Sequence, residues 1–112
     1  MVEYDEYDLL ELFENEPKML YAEDVGIYEY NRKDAHGYTF EMNLYAYDAT
    51  CILSFFHENL KFPLYEINFQ KIEIIVCKED KLFIHQANSK NDIVVYFKPT
   101  YTLRFEESIF LK

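Results

Sequence analysis

The clearest pattern in the chain is an alternation of apolar and more polar positions that begins after residue 37. One parity holds mainly apolar side chains: Tyr38, Phe40, Met42, Leu44 and Ala46. The other parity is more polar: Thr39, Glu41, Asn43, Tyr45 and Tyr47. Because successive strand residues point to opposite faces, the alternation predicts a strand with one buried face. Turn-forming residues at 33–37 join it to the segment Val25–Tyr30, and together they predict a β-hairpin.

Before Pro17 the hydrophobic spacing is helical. Asp5 is the expected N-cap of a helix over about residues 6–15, and acidic residues fill its first turn, where the helix dipole favours them. The apolar positions form one stripe: Leu9, Leu12 and Phe13. Other positions project outward: Tyr7, Glu11 and Glu14. Pro17 disfavours helical geometry at Glu16, so we expect the helix to end there.

The rest of the chain repeats short apolar segments between polar turns: 51–56, 65–69, 72–76, 82–86, 93–97 and 101–105. Segment 51–56 is apolar on both faces, which predicts that one face lies under the helix. The parity changes at Gln70-Lys71, so a bulge or a break is expected there. The predicted fold is α+β and a single domain over residues 1–112. It has a short N-terminal helix and a mostly antiparallel meander of about six or seven strands, curled or in two layers.

Charge is divided unequally along the chain. Residues 1–60 hold 14 Asp and Glu against 3 Lys and Arg, whereas residues 61–112 hold 7 against 8. The acidity therefore belongs to one part of the molecule. Segregated negative potential attracts a cationic partner and repels nucleic acid and anionic membranes. We expect a basic protein partner, with no direct binding to nucleic acid or membrane.

Catalytic and ligand-binding patterns are missing from the sequence. The three histidines, His36, His57 and His85, have no zinc-ligand spacing with each other or with the two cysteines. Cys51 and Cys77 each lie in an apolar segment, which is typical of buried thiols in a reduced compartment. No glycine-rich phosphate loop or serine nucleophile pattern occurs. We expect no catalytic residue, no metal and no cofactor, hence no enzyme. The first residues lack the pattern of a secretory signal, and we expect a cytoplasmic protein.

Eight of the 11 tyrosines lie in the acidic part of the chain, among its Asp and Glu residues. For any single tyrosine, the preference of strands for aromatic residues is a sufficient explanation. As a group they favour an interface, because tyrosine buries a large rigid ring while keeping a polar tip. The predicted partner-binding residues are Tyr7, Glu11, Glu14, Tyr28, Tyr30, Tyr45 and Tyr47.

Small size, the acidic helical segment Glu3–Glu16 and the aromatic meander from 36–40 to 101–105 resemble the small bacterial immunity proteins of polymorphic or contact-dependent toxin systems. The resemblance is one of type and assigns no residue roles. It implies a cytoplasmic inhibitor, monomeric or homodimeric, that binds its cognate toxin stoichiometrically without turnover. A basic nuclease toxin is one such partner, since the site of a nuclease must attract a polyanion.

Two other readings of the sequence remain open. One is an accessory or interaction module of a phage or mobile element, including a DNA mimic that blocks a DNA-binding enzyme. A DNA mimic should carry phosphate-like carboxylates over most of its surface, and the confinement of charge to residues 1–60 weakens that reading. The other is a β domain that binds a small ligand, which should enclose an apolar cavity.

Overall fold

The computed structural model describes residues 1–22 and 25–111. Its one α-helix in these ranges, α1 (Glu6–Phe13), precedes nine strands. The strands are β1 (Lys18–Leu20), β2 (Ile27–Lys33), β3 (Tyr38–Tyr45), β4 (Thr50–His57), β5 (Tyr65–Phe69), β6 (Ile72–Lys78), β7 (Lys81–Gln86), β8 (Asn91–Tyr96) and β9 (Thr102–Glu107). The predicted class, a short N-terminal helix followed by an antiparallel meander, is confirmed.

The strands form two antiparallel sheets, each in sequence order: β1-β2-β3-β4-β5 and β6-β7-β8-β9. The chain crosses from one to the other at Gln70-Lys71, where Lys71 has a φ of 58°. The parity change in the sequence therefore marks a break between sheets, while a bulge lies one step later, between Ile72 and Ile74. The strand count exceeds six or seven because β5 and β6 are separate strands and because β1 pairs with β2. The charge division at residue 60 lies close to this crossing.

The central hairpin follows the predicted alternation. β2 and β3 pair antiparallel, with Tyr30 opposite Met42 and Tyr28 opposite Leu44. Phe40, Met42 and Leu44 are fully buried, whereas the residues between them remain partly exposed. The buried parity packs toward the second sheet in one continuous core, and the other parity forms the outer face of the five-stranded sheet.

Helix α1 closes one side of the core. The Asp5 carboxylate accepts hydrogen bonds from the backbone amides of Tyr7 (2.8 Å) and Asp8 (3.2 Å), which confirms the predicted N-cap. The predicted stripe is buried, and the Phe13 ring lies 5.4 Å from Tyr30 and 5.3 Å from Phe97 between ring centroids. Burial of one such ring contributes about 1.5–3 kcal/mol.

Two details of the helix prediction are wrong. The helix ends at Phe13, before Pro17 can act, because Glu14 adopts a left-handed conformation with φ 58° and its amide donates to the Leu10 carbonyl. The helix also packs mainly on β2 and β6 rather than under segment 51–56. The second apolar parity of that segment, which includes Ile52 and Phe56, lies on the outer face of the five-stranded sheet.

Candidate partner-binding surface

A cleft lined by tyrosines lies between α1 and the first two strands. Its volume is about 310 Å³. The tyrosine cleft, as we call it, is lined by Tyr4, Glu6, Tyr7, Leu10, Glu16, Pro17, Met19, Tyr28 and Tyr30. The helix supplies Tyr7 and Leu10, three positions apart and thus on one side. The strands supply Met19 and Tyr28, which are directly opposite each other in the β1–β2 register.

The tyrosines of this cleft differ in accessibility. Tyr7 is 73 % exposed, whereas Tyr30 is 2 % exposed and forms the floor of the cleft. Burial raises the pKa of the Tyr30 phenol, and neighbouring Tyr4 and Glu6 raise it further. Burial likewise raises the pKa of Tyr4, followed by the influence of Tyr28. These hydroxyls stay protonated near neutral pH, so they can donate hydrogen bonds to a partner or to each other.

The other two predicted tyrosines, Tyr45 and Tyr47, lie on different faces of the molecule. Tyr47 is 58 % exposed and lies close enough to Tyr4 to affect its pKa. Its ring packs over Gly26, where an added Cβ would lie 2.7 Å from the ring, and Gly26 itself has φ 71°. Both the close ring and the left-handed backbone favour glycine at this position. Tyr45 is opposite Ile27 and so lies on the outer face of the sheet, away from Tyr28.

Glu11 and Glu14 line a second depression, which we call the charged cleft, of about 260 Å³. Its other lining residues are Asp8, Leu12, Arg32, Cys77, Lys78, Glu79, Asp80 and Lys98. The Glu14 carboxylate lies 3.3 Å from the Arg32 guanidinium. The second sheet thus supplies lysines beside these carboxylates, an arrangement that could not be anticipated from the first 60 residues alone.

The structure therefore brings Tyr7, Tyr28 and Tyr30 together, with Tyr47 nearby. It places Glu11 and Glu14 in the adjacent charged cleft, and Tyr45 on another face. Six of the nine lining residues are absent from the predicted set: Tyr4, Glu6, Leu10, Glu16, Pro17 and Met19. Tyr4 shares the acid and tyrosine pattern and could have been found by it. Met19 is 46 % exposed on a three-residue strand that has no sequence signal of its own.

A group of Ser, His and Asp occurs in the second sheet but lacks catalytic geometry. His85 Nδ1 lies 2.8 Å from Asp92 Oδ1 and also 3.2 Å from Ser108 Oγ. In a catalytic triad the serine and the aspartate contact different ring nitrogens. Here His85 Nε2 instead faces Glu73 Oε1 at 3.7 Å. Because the Asp92 carboxylate also accepts from the Ile109 amide at 3.0 Å, the group fastens the C-terminal segment to the sheet.

The other two histidines take part in contacts between turns, and the two cysteines are buried or partly buried. His57 Nε2 lies 3.0 Å from the His36 carbonyl, and His57 Nδ1 accepts from the Asn59 amide at 3.1 Å, so the ring holds neighbouring turns. Cys51 and Cys77 are free thiols. Burial raises the pKa of each thiol to about 12. Within residues 1–22 and 25–111 no three His, Cys, Asp or Glu side chains are grouped to hold a metal ion.

No helix in the described part of the chain combines the length and the apolar character that crossing a bilayer requires. No protein-family profile and no curated protein matches the sequence.

Among solved structures, the chain is similar to a chain of a contact-dependent growth inhibition toxin–immunity protein complex from Klebsiella pneumoniae 342. The TM-score is 0.78 at 13% sequence identity, and the match covers 96% of this chain and 97% of the other. At 13% identity, the structural match shows a shared fold and nothing more. The resemblance to proteins of such toxin systems, expected from size, acidity and the aromatic meander, is confirmed at that level.

Proposed function

We propose that this protein is an immunity-type inhibitor that neutralises a cognate toxin by stoichiometric binding in the cytoplasm. The observation that carries the proposal is the end-to-end similarity in fold to a chain of a toxin–immunity complex. The match covers 96% of this chain and 97% of the other, so the likeness extends over both sheets and the helix. The inhibitor acts without turnover, because covering or distorting a toxin's active site requires binding energy alone.

The N-terminal part of the molecule is the proposed contact surface, and the toxin is proposed to be basic. The exposed rings of Tyr7 and Tyr47 offer large rigid contact areas beside carboxylates. The partner-binding set is Tyr7, Glu11, Glu14, Tyr28, Tyr30, Tyr45 and Tyr47. Within it, Tyr30 supports the cleft from below, since its buried ring leaves almost no area for a partner. A nuclease is the favoured toxin class, because its substrate-binding site must be positively charged.

Electrostatic steering is the expected contribution of the exposed carboxylates. Complementary charge mainly raises the association rate, whereas packed aromatic anchors mainly slow dissociation. The two kinds of residue should therefore be separable by kinetics. Glu11 and Glu14 are both exposed and are the natural pair for testing the first effect.

The test is coexpression of the protein with the toxin domain encoded by the gene immediately upstream. We expect a 1:1 complex by size-exclusion chromatography with light scattering, and rescue of cell growth. The double variant Glu11→Lys and Glu14→Lys should slow association by about tenfold or more at low salt. Glu107→Lys, at an exposed position of the second sheet, is the control for a charge reversal outside the proposed contact surface. A toxin that forms no complex with the wild-type protein would refute the proposal.

A further inference from the structure

The outer face of the five-stranded sheet presents a row of acidic side chains that the proposed contact surface does not use. Glu41, Ser54 and Glu66 are directly opposite one another on β3, β4 and β5. In the next row of the same face, Glu29 on β2 is opposite Asn43 on β3. These five residues, which we call the Ser54 face, come from four adjacent strands. The five residues are far apart in the sequence, and only the strand register shows that they lie side by side.

Hydrogen-bond acceptors on the Ser54 face exceed the available donors. Ser54 is 0 % exposed, and among the described residues its Oγ has no hydrogen-bond partner. Asn43 Oδ1 is likewise buried and unpartnered within the described residues. An amide oxygen can only accept, and ionised carboxylates also only accept. Leaving a buried acceptor without a hydrogen bond is unfavourable, so this face favours a ligand that brings several N–H donors.

The charge of the Ser54 face is poorly compensated. Lys18 on the adjacent edge strand lies 3.8 Å from Glu29, but its side chain is 73% exposed and the pair is weak. Burial is the largest cause that raises the pKa of Glu41 to about 7. The negative charge of Glu29, a hydrogen bond between Glu41 and Glu29, and the charge of Glu66 also raise this pKa, whereas the charge of Lys18 lowers it. A bound cation would therefore compete with a proton for the Glu41 carboxylate.

We propose that the Ser54 face binds an arginine side chain of the protein partner, with its guanidinium between Glu41 and Glu66 and beside Glu29. The inference rests on the proposed function, because it assigns a docking position to the same basic partner. A guanidinium carries five N–H donors in a planar fork, which suits acceptors on both sides. Glu41 and Glu66 stand on strands separated by one strand, about 10 Å apart at the backbone, and the two edges of the planar fork can each face one of these carboxylates.

The test uses acetyl-tri-arginine amide as the probe, titrated into isotopically labelled protein and followed by NMR. We expect saturable shifts of the Asn43 side-chain amide and of the Ser54 and Glu66 backbone amides. Affinity should rise as pH is raised from 6 to 8, since the peptide competes with the Glu41 proton. Glu41→Gln with Glu66→Gln should weaken binding by about tenfold. The control, Glu3→Gln with Glu107→Gln, should change it less than twofold.

Several results would overturn the inference. One such result is a set of amide shifts spread over the acidic residues of α1. Another is an unchanged affinity of the tri-arginine peptide for the Glu41→Gln, Glu66→Gln variant. A third is binding of acetyl-tri-lysine amide with the same affinity as the tri-arginine peptide. Measurement of toxin binding then separates the two proposals. A toxin that binds the wild type and the Glu41/Glu66 variant equally refutes this docking position and leaves the proposed function intact. Localised tri-arginine binding without any toxin binding supports a guanidinium site and refutes the proposed function.

Discussion

Arg32 Nη1 donates a hydrogen bond to the carbonyl oxygen of Leu12, with an N···O distance of 2.9 Å. The last carbonyls of a helix have no partner within the helix, and a cation at that end also complements the helix dipole. The last turn of α1 contains no basic residue of its own. A strand residue 20 positions away therefore caps the helix and ties it to the five-stranded sheet.

Arg32→Met should lower the free energy of unfolding by about 1–3 kcal/mol, the usual cost of losing a charged, partly buried hydrogen bond. Urea denaturation followed by circular dichroism measures it. Lys33→Met is the matched control, because Lys33 pairs with Glu58 at 2.8 Å in an exposed position and should cost less than about 1 kcal/mol. Equal losses in the two variants would contradict the capping role.

Phe13 should be the most sensitive position of the helix. Its side chain is fully buried against the rings of Tyr30 on β2 and of Phe97, which follows β8. Phe13→Ala should destabilise the protein by about 3–5 kcal/mol, because it leaves a cavity where the helix joins the core. Leu10→Ala, at a position 37 % exposed on the same helix, should cost far less. A small effect at Phe13 in thermal or urea unfolding would mean that α1 is not part of the cooperative core.

Both cysteines should react slowly in the native state. Because burial raises each thiol pKa to about 12, the thiolate fraction near pH 8 is very small. Labelling with a thiol reagent should become fast only after unfolding in urea. The variant Cys77→Ala isolates Cys51, which is the fully buried thiol of the two. Rapid labelling of Cys51 in that variant without denaturant would show that the core opens locally.

The alternation at 38–46 and the stripe of α1 were enough to predict the class of fold, because burial in both depends on local periodicity. The sheet crossing at Gln70-Lys71 was visible only as a change of parity. The Ser54 face was not predictable, since Glu41 and Glu66 become neighbours only through the pairing of β4 with both β3 and β5. The sequence pattern groups Tyr30 with the exposed tyrosines because its burial depends on the packing of the Phe13 ring of α1 against it, a contact that strand periodicity does not predict.

Stability should fall as the pH rises from about 5 to 8. The pKa of Glu41 is raised to about 7 in the folded protein, from an ordinary value of 4.5. The native state therefore binds more protons than the unfolded state in this window, and linkage makes deprotonation favour unfolding. Glu41→Gln should remove much of the decline, whereas the control Glu107→Gln should retain it. Urea denaturation at pH 5, 6, 7 and 8 gives the comparison, and identical pH profiles for wild type and Glu41→Gln would contradict the raised pKa.

Tyr7 and Tyr30 should separate binding from stability within the tyrosine cleft. Tyr7 is 73 % exposed, so Tyr7→Ala should leave the free energy of unfolding within about 0.5 kcal/mol of the wild type. If Tyr7 anchors the toxin, the same change should speed dissociation of the complex by an amount equivalent to about 1–3 kcal/mol. Tyr30→Ala should instead destabilise the free protein by several kcal/mol, because the ring is 2 % exposed and packs against Phe13. Surface plasmon resonance with the toxin and urea denaturation of the free variants measure the two effects. Unchanged dissociation in Tyr7→Ala, together with sensitivity confined to residues of β6 to β9, would place the interface elsewhere and leave the N-terminal acidity as a determinant of solubility.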